Sequence, residues 1–525
     1  MMLLPRPFRI RDTATSITLF LCIFAAVCIL EASAFSTRSQ RLHTTPKLTR
    51  QAVTEESTEI ISDKDRIASL PLPPHRSPGP FRGIRESISH LTDGKRFARK
   101  RAEELGDVFL TNVFFKPTVI IGGQEAITEF VSGTELKSKV IHAALPDTFK
   151  ELHTKWGTLN LDSTDTLHKE ARSLFSEIFS VDALESYLPV IEESLEMYVQ
   201  SIVERIKKNP QEEIQIVQEL KELCLQIFSK LFSGAELTKE QVQMFDDYNS
   251  ALLALPFEKK KIEKGRDALK TLKSEMLSRY KDCQAGTADP ASAFYSEKVQ
   301  KWFGYDEDRV CTATVLFIWG AYIECAALMT NALTIIKNEN PDYIEIIAEE
   351  YQTQLKSDLS LSDLEFWSNM QQTLGVLRES LRLIPPAGGA TRYSDEDFEF
   401  RGYRIPAGTA VMMDPRVGNT DPKLFTEPDE FLPLRWVPSD SSTSSSSGGC
   451  PLKGTALKLG FGSWFPGGFG AHQCPGIPLA ELTSKIFLGK VATAFDNWSF
   501  DEVKYVEVPI KIPTDNFAVT FSLRN

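Results

Sequence analysis

Between Asp107 and Gly123 apolar and polar residues alternate, DVFLTNVFFKPTVIIGG, with a turn signal between the halves; this predicts a β-hairpin. Most of the later chain follows another period. LHKEARSLFSEIFS, YLPVIEESLEMYVQSIVERIKK and IVQELKELCLQIFSKLF repeat their apolar positions every three or four residues and predict amphipathic helices. The run from Cys311 to Lys337, CTATVLFIWGAYIECAALMTNALTIIK, is apolar on nearly every side, as a helix through the middle of a large domain would be. MQQTLGVLRESLRL is again helical and stops at Pro385 and Pro386. Alternation returns in DFEFRGYRIPAGTAVMM, which predicts a strand pair, and residues 438–449 hold a flexible, Ser-rich, low-complexity loop. With no internal repeat or composition break, residues 67–525 read as one domain, mostly α with minor β.

The N-terminus follows a different grammar. Arg6, Arg9 and Arg11 precede the apolar run SITLFLCIFAAVCIL, and Ala32, Ser33 and Ala34 supply small residues for cleavage, so residues 1–34 read as a signal peptide. The run is short for a bilayer span. Residues 35–66 are rich in Ser, Thr, Arg and Lys, without an acid before Glu55, which suits a transit peptide or disordered linker. The joined pattern resembles the bipartite presequences of algae with complex plastids. The alternative is an endoplasmic-reticulum membrane anchor, although the proline-rich LPLPPHRSPGP begins only at Leu70.

Composition narrows the partners. A net charge of −12 on 525 residues disfavours nucleic acid, which needs clustered Lys and Arg. Cys22 and Cys28 lie in the N-terminal run; Cys224, Cys283, Cys311, Cys325, Cys450 and Cys474 are scattered without metal-ligand spacing, which points to a reducing compartment.

Three patterns carry chemistry. Glu379 and Arg382 share a helix face with apolar flanks, and a buried pair there would want a third charged partner. Arg435, in the rigid stretch EPDEFLPLRW, is placed to complete it. Cys474 follows a glycine-rich loop, GGFGAHQCPG, and precedes an apolar helix. Gly467, Gly468 and Gly470 let the backbone approach a flat ligand, Gly476 leaves the far side uncrowded, and the helix's positive end should lower the thiol's pKa. A thiolate bound to iron satisfies these features together.

ESLR, then FLPLRW, then GGFGAHQCPG resemble the signature series of the cytochrome P450 superfamily: the ExxR helix, the meander arginine and the haem-thiolate loop. LPLPP with DGKRFARKRAEELGDVF is similar to the retinoid-hydroxylating and cyanobacterial branch. The resemblance implies a single P450-type domain with a long buried distal helix and small β-sheets. It also implies heme b, with Cys474 as axial ligand and a structural cluster of Glu379, Arg382 and Arg435. His168 with Arg172, His472 and Arg392 stand where the family holds the haem propionates.

The distal helix departs from the family. AYIEC keeps Ala321 and the acid Glu324, but Tyr322 stands where glycine is usual and Cys325 replaces threonine, a thiol being the poorer donor. Gly467 also takes the place of the loop's usual phenylalanine, with Phe465 and Phe469 nearby. Glu324 and Cys325 are nevertheless the candidate catalytic residues. The implied activity is a monooxygenase inserting one oxygen atom from O2 into an apolar isoprenoid, apocarotenoid or fatty acid. Its electrons would come from ferredoxin or a reductase, and peripheral membrane contact is a further expectation. The alternatives are an isomerase or dehydratase of hydroperoxides and a non-catalytic haem-binding scaffold with a collapsed pocket.

Overall fold

The alternating stretch forms β1 (Val108–Val113) and β2 (Lys116–Ile121), antiparallel, with Val108 opposite Ile121 and Val113 opposite Lys116. The computed structural model describes residues 62–76, 82–113, 116–145, 147–153, 157–252, 254, 257–286, 304, 306–437, 464, 467–468, 470–506 and 510–524. The expected signal peptide, most of the expected transit segment, Cys450, Phe465, Phe469 and the Ser-rich loop lie outside the described residues.

Beyond the hairpin come β3 (Ile141–Ala143), β4 (Ala390–Ser394), β5 (Phe398–Phe400), β6 (Tyr403–Ile405) and β7 (Ala410–Met413). The expected strand pair after Asp397 is in fact three strands. β5 and β6 pair across a tight turn in which Arg401 and Gly402 take positive φ of 51° and 77°. β7 leaves them to run parallel to β2 and antiparallel to β4, giving a five-stranded sheet ordered β1-β2-β7-β4-β3. β4, a strand that the sequence pattern does not announce, follows Pro385 and Pro386 and carries Arg392.

Helices make up the rest of the core. The apolar run is a 33-residue helix, Glu307–Glu339, begun by Asp306, whose side chain accepts from the Arg309 amide. It packs against the helices Ile216–Ser233, Lys259–Gln284, Gln371–Leu383 and Ile477–Ala494. Although long and apolar enough to cross a membrane, it is mostly buried inside the protein. A stripe on it breaks the pattern: Phe317, Gly320, Ala321 and Glu324 stay accessible between buried neighbours. Their i, i+3, i+4, i+7 spacing puts them on one face, so the helix borders open space there.

Secondary structure is present ahead of the expected boundary at residue 67. A helix spans Asp63–Ser69, capped by Ser62, and its Arg66 pairs with Glu399 on β5. The boundary placed between residues 66 and 67 therefore cuts through a helix tied to the sheet region.

Candidate functional site

The site is built from its foundation, the helix Ile477–Ala494. It is buried along most of its length and pinned by polar bonds: Glu481 accepts from Arg378 Nε at 3.0 Å, and Lys485 Nζ donates to the Trp367 carbonyl at 2.7 Å. Burial lowers the Lys485 pKa to about 8. Such a fixed post holds the preceding loop in place.

That loop closes tightly. The Cys474 amide donates to the Gly467 carbonyl at 2.6 Å. A Cβ on Gly467 would come within 2.7 Å of Ile477 Cγ1 and 2.9 Å of Cys474 Cβ, so a side chain there would force both neighbours to shift. Gly468 and Gly470 are required by conformation, with φ of +86° and +55°. Gly476 is different: its φ is −85°, and a Cβ there would make ordinary contact with Cys474 Sγ at 3.7 Å.

Cys474 is exposed yet closely ringed by protein, the signature of a group facing an internal space. Its pKa corrects the sequence expectation. Burial pushes it up, and the charge of Glu324 adds to this. The Gly476 and Ile477 amides, which do point at the sulfur, and Arg172 pull it down only in part. The helix terminus alone does not make a thiolate here; a metal cation on the sulfur would.

Beside the cysteine, four expected propionate partners converge from three elements. The His168 and His472 rings lie 4.3 Å apart, and Arg172 Nη1 donates to the Gln473 carbonyl at 2.6 Å. Burial first, then Arg172 and Arg392, lowers the His168 pKa to about 4. His472 is lowered further by burial, Arg392, His168 and Arg172. His472 Nε2 is buried without a hydrogen-bond partner. Two guanidinium groups, Arg172 and Arg392, beside two imidazoles kept neutral by burial, one with an unpartnered ring nitrogen, form a receptor for anions. The carboxylates of haem fit it, with Cys474 next to it to take the iron.

Across the open space stands the accessible stripe of the long helix. Glu324 is enclosed, its Oε2 has no partner, and burial pushes its pKa up to about 7. It is close enough to influence the Cys474 sulfur. Cys325 is 3% exposed and shielded by protein, and burial, with Cys224 on the neighbouring helix, holds its thiol protonated. Tyr322 is 1% exposed, and burial first, then the charges of Asp246, Glu324 and Asp515, push its hydroxyl pKa up. Glu324 thus borders the space while Tyr322 and Cys325 pack into the core around it.

The structural cluster is as expected and larger. Glu379, fully buried, accepts from Arg382 Nη2 at 2.7 Å and Nε at 2.9 Å, and from Arg435 Nε at 2.9 Å. The Leu432 amide (3.0 Å) and Trp436 Nε1 (2.7 Å) also donate to it. Burial would raise its pKa, but these partners hold it below the usual carboxylate range. Arg382 spends its other protons on the Asn419, Pro428 and Glu430 carbonyls.

Sequence reasoning missed two participants. Trp436 lay inside the quoted FLPLRW, where a tryptophan beside a buried carboxylate was a usable signal. Glu135 pairs with Arg392 Nε at 2.7 Å from a π-helical turn over Phe130–Glu135, and nothing in its surrounding sequence marks it.

A family model described as cytochrome P450 matches residues 73–511. A putative cytochrome P450 120 of Synechocystis is 23% identical over 88% of this chain and 99% of its own length. Cytochrome P450 26B1 of Xenopus tropicalis and 26A1 of Danio rerio are each 24% identical, over 87% and 88% of this chain and 88% and 93% of their own. A solved structure described as retinoic acid bound cyanobacterial CYP120A1 superposes with a TM-score of 0.69 at 23% identity, covering 87% of this chain and 100% of that one.

Proposed function

From the premise that the chain belongs to the cytochrome P450 family, we propose that it is a haem-thiolate monooxygenase acting on an elongated apolar isoprenoid or apocarotenoid. The monooxygenase activity follows from the family, as do a hydrophobic substrate, O2 and a redox partner. The substrate class is the finer reading. The observation that carries it is the apolar stripe of Phe317, Gly320 and Ala321 facing the space in front of Cys474. It is supported by likeness to a structure that holds retinoic acid and to relatives named cytochrome P450 26 and 120.

A haem bound through a thiolate would supply O–O cleavage and oxygen insertion into C–H bonds. The chain's own residues do the rest. Cys474 would hold the iron, with the Gly476 and Ile477 amides turned to its sulfur. His168, Arg172, His472 and Arg392 are placed to hold the propionates. Gly468 and Gly470, both at positive φ, let the loop turn ahead of Cys474, and Gly470 also makes room for Val131. Phe317, Gly320 and Ala321 exclude water and orient an apolar substrate. Glu324, poised near neutrality, holds a proton facing that dry space.

The hydroperoxide isomerase alternative is not favoured, because the relatives are named cytochromes P450 26 and 120 and the cysteine loop keeps most of the standard spacing. A scaffold with a collapsed pocket sits poorly with an accessible Cys474 and Gly320. We further propose a plastid location with electrons from ferredoxin, on the strength of the two-part N-terminus alone.

The first test is a spectrum: reduced protein under carbon monoxide should give the thiolate-type Soret shift. NADPH with ferredoxin and its reductase should then drive oxygen insertion into retinoid-like polyenes. Product from a lipid hydroperoxide without reductant would sink the monooxygenase reading. A fluorescent fusion to the C-terminus should coincide with chlorophyll; a reticular pattern would place the protein in the endoplasmic reticulum instead.

A further inference from the structure

Glu135 is an anomaly of charge. It lies 3% exposed among groups arranged to receive two carboxylates, and it is itself a carboxylate. An acid in that position opposes the binding of other anions, so its presence needs a reason.

Its contacts supply one. Oε1 accepts from Arg392 Nε at 2.7 Å and from the Ser163 hydroxyl. Arg392 Nη1 donates to the Thr391 carbonyl at 3.0 Å, so the guanidinium is fixed on two sides. Ser163 begins the short segment leading to Asp165, the N-cap of the helix Thr166–Ile178 that carries His168 and Arg172. At the other end of the π-helical turn, Val131 packs so closely on Gly470 that a Cβ there would come within 2.8 Å. One short turn therefore touches the sheet strand with Arg392, the approach to the helix with Arg172, and the cysteine loop.

We propose that Glu135 is a positioning residue of the haem site that aims Arg392 and cancels one of the two guanidinium charges beside the propionates. This rests on the haem reading above. A π-turn is an uncommon backbone form that recurs at functional sites, and here it puts the carboxylate next to the Arg392 side chain. The consequence is a definite sign. With the extra anion present, the ferric state is favoured over the ferrous state and the propionates are held less tightly than the arginines alone would hold them.

Glu135→Gln keeps the size and the accepting oxygen while removing the charge. Measured on the haem-loaded full chain, E135Q should raise the iron(III)/iron(II) potential by an amount worth about tenfold in the ratio of the two states, about 59 mV for one electron. Transfer of its haem to a scavenging apoprotein should be slower than in the wild type. A merely structural glutamate would give the opposite result, faster haem loss. Glu135→Asp keeps the charge with a shorter arm and should leave the potential in place. An unchanged potential in E135Q, faster haem loss from it, or an equal shift in E135D overturns the proposal. If E135Q does not fold, E135D decides alone: an unchanged potential supports charge balancing and a positive shift rejects it. A wild type without the thiolate carbon monoxide band overturns the haem reading itself, a separate result read before any variant.

Discussion

Glu379 and Glu324 are both enclosed by protein and differ in what meets their oxygens. Glu379 accepts two bonds from Arg382 and one each from Arg435, Trp436 and the Leu432 amide, and stays ionised. Glu324 has an Oε2 without partners and a pKa raised to about 7. Enclosure is common to the two; the hydrogen-bond supply decides which carboxylate is architecture and which is reagent. A satisfied charge cannot exchange its proton near pH 7, whereas an unsatisfied one can.

Substitution at each glutamate should divide accordingly. The largest effect is expected for Glu379→Ala, which leaves Arg382 and Arg435 without their acid. Thermal and denaturant melts should show a loss of about 3–5 kcal/mol, with haem content falling alongside. Folded, haem-loaded E379A protein would erase the distinction. Next, Glu324→Gln should leave folding and the carbon monoxide spectrum intact and lower coupled turnover by about 10²-fold.

The pH dependence of E324Q sharpens the same point. An acid whose folded pKa exceeds its unfolded value binds protons preferentially in the native state. Its contribution to stability therefore falls as pH rises from 4.5 to about 7. Melts of wild type and E324Q across that window should show the wild type losing ground, and parallel curves would mean that Glu324 is hydrated and ordinary.

Smaller still is Cys325→Thr. Thr314 and Thr330 on the same helix donate to carbonyls four residues back, at 2.9 and 2.7 Å, and a threonine at 325 can do likewise to Ala321. Stability should change by less than about 1.5 kcal/mol. The ratio of product to NADPH consumed should rise a few-fold; an unchanged ratio would make Cys325 a packing residue.

The smallest effect concerns His142, whose Nδ1 lies 2.6 Å from Asp162 and whose Nε2 lies 3.0 Å from Asp395. The Asp162 hydrogen bond leads in raising its pKa. Its contribution is thus fully present below the unfolded value near 6.5 and fades as pH rises through the raised one. Asp395→Asn should remove less than about 1 kcal/mol at pH 6, the pair being partly exposed. Stability falls with pH at Glu324 and at His142 alike, for want of partners in one and by their presence in the other.

Much of the proximal side was legible because its constraints are local. Gly468, Gly470 and Cys474 sit within seven residues, and the backbone angles they need are written in the residue types. Glu379 with Arg382 is one helical turn. What escaped depends on distant chain: Glu135 gains meaning only when β4 brings Arg392 to it, and the stretch from Asp397 to Met413 reads as one strand pair because the partners of β7, β2 and β4, are not its neighbours in sequence. The Cys474 thiol was misjudged for a related reason. The helix terminus can be read from sequence, but the enclosure that outweighs it belongs to the whole fold.

The bond from Arg172 to the Gln473 carbonyl joins residues 301 positions apart, and Glu135 with Arg392 spans 257. During synthesis the helix Thr166–Ile178 emerges long before the loop it must meet, since chains are made from the N-terminus at a limited rate. Closing so long a loop adds little further entropy, because that penalty grows only with the logarithm of its length. The delay is one of order in time. Haem capture is placed among the last events in the making of this protein, after nine-tenths of the chain has been synthesised, and a ribosome that stops before Cys474 leaves a product with Arg172 and Arg392 but no ligand for iron.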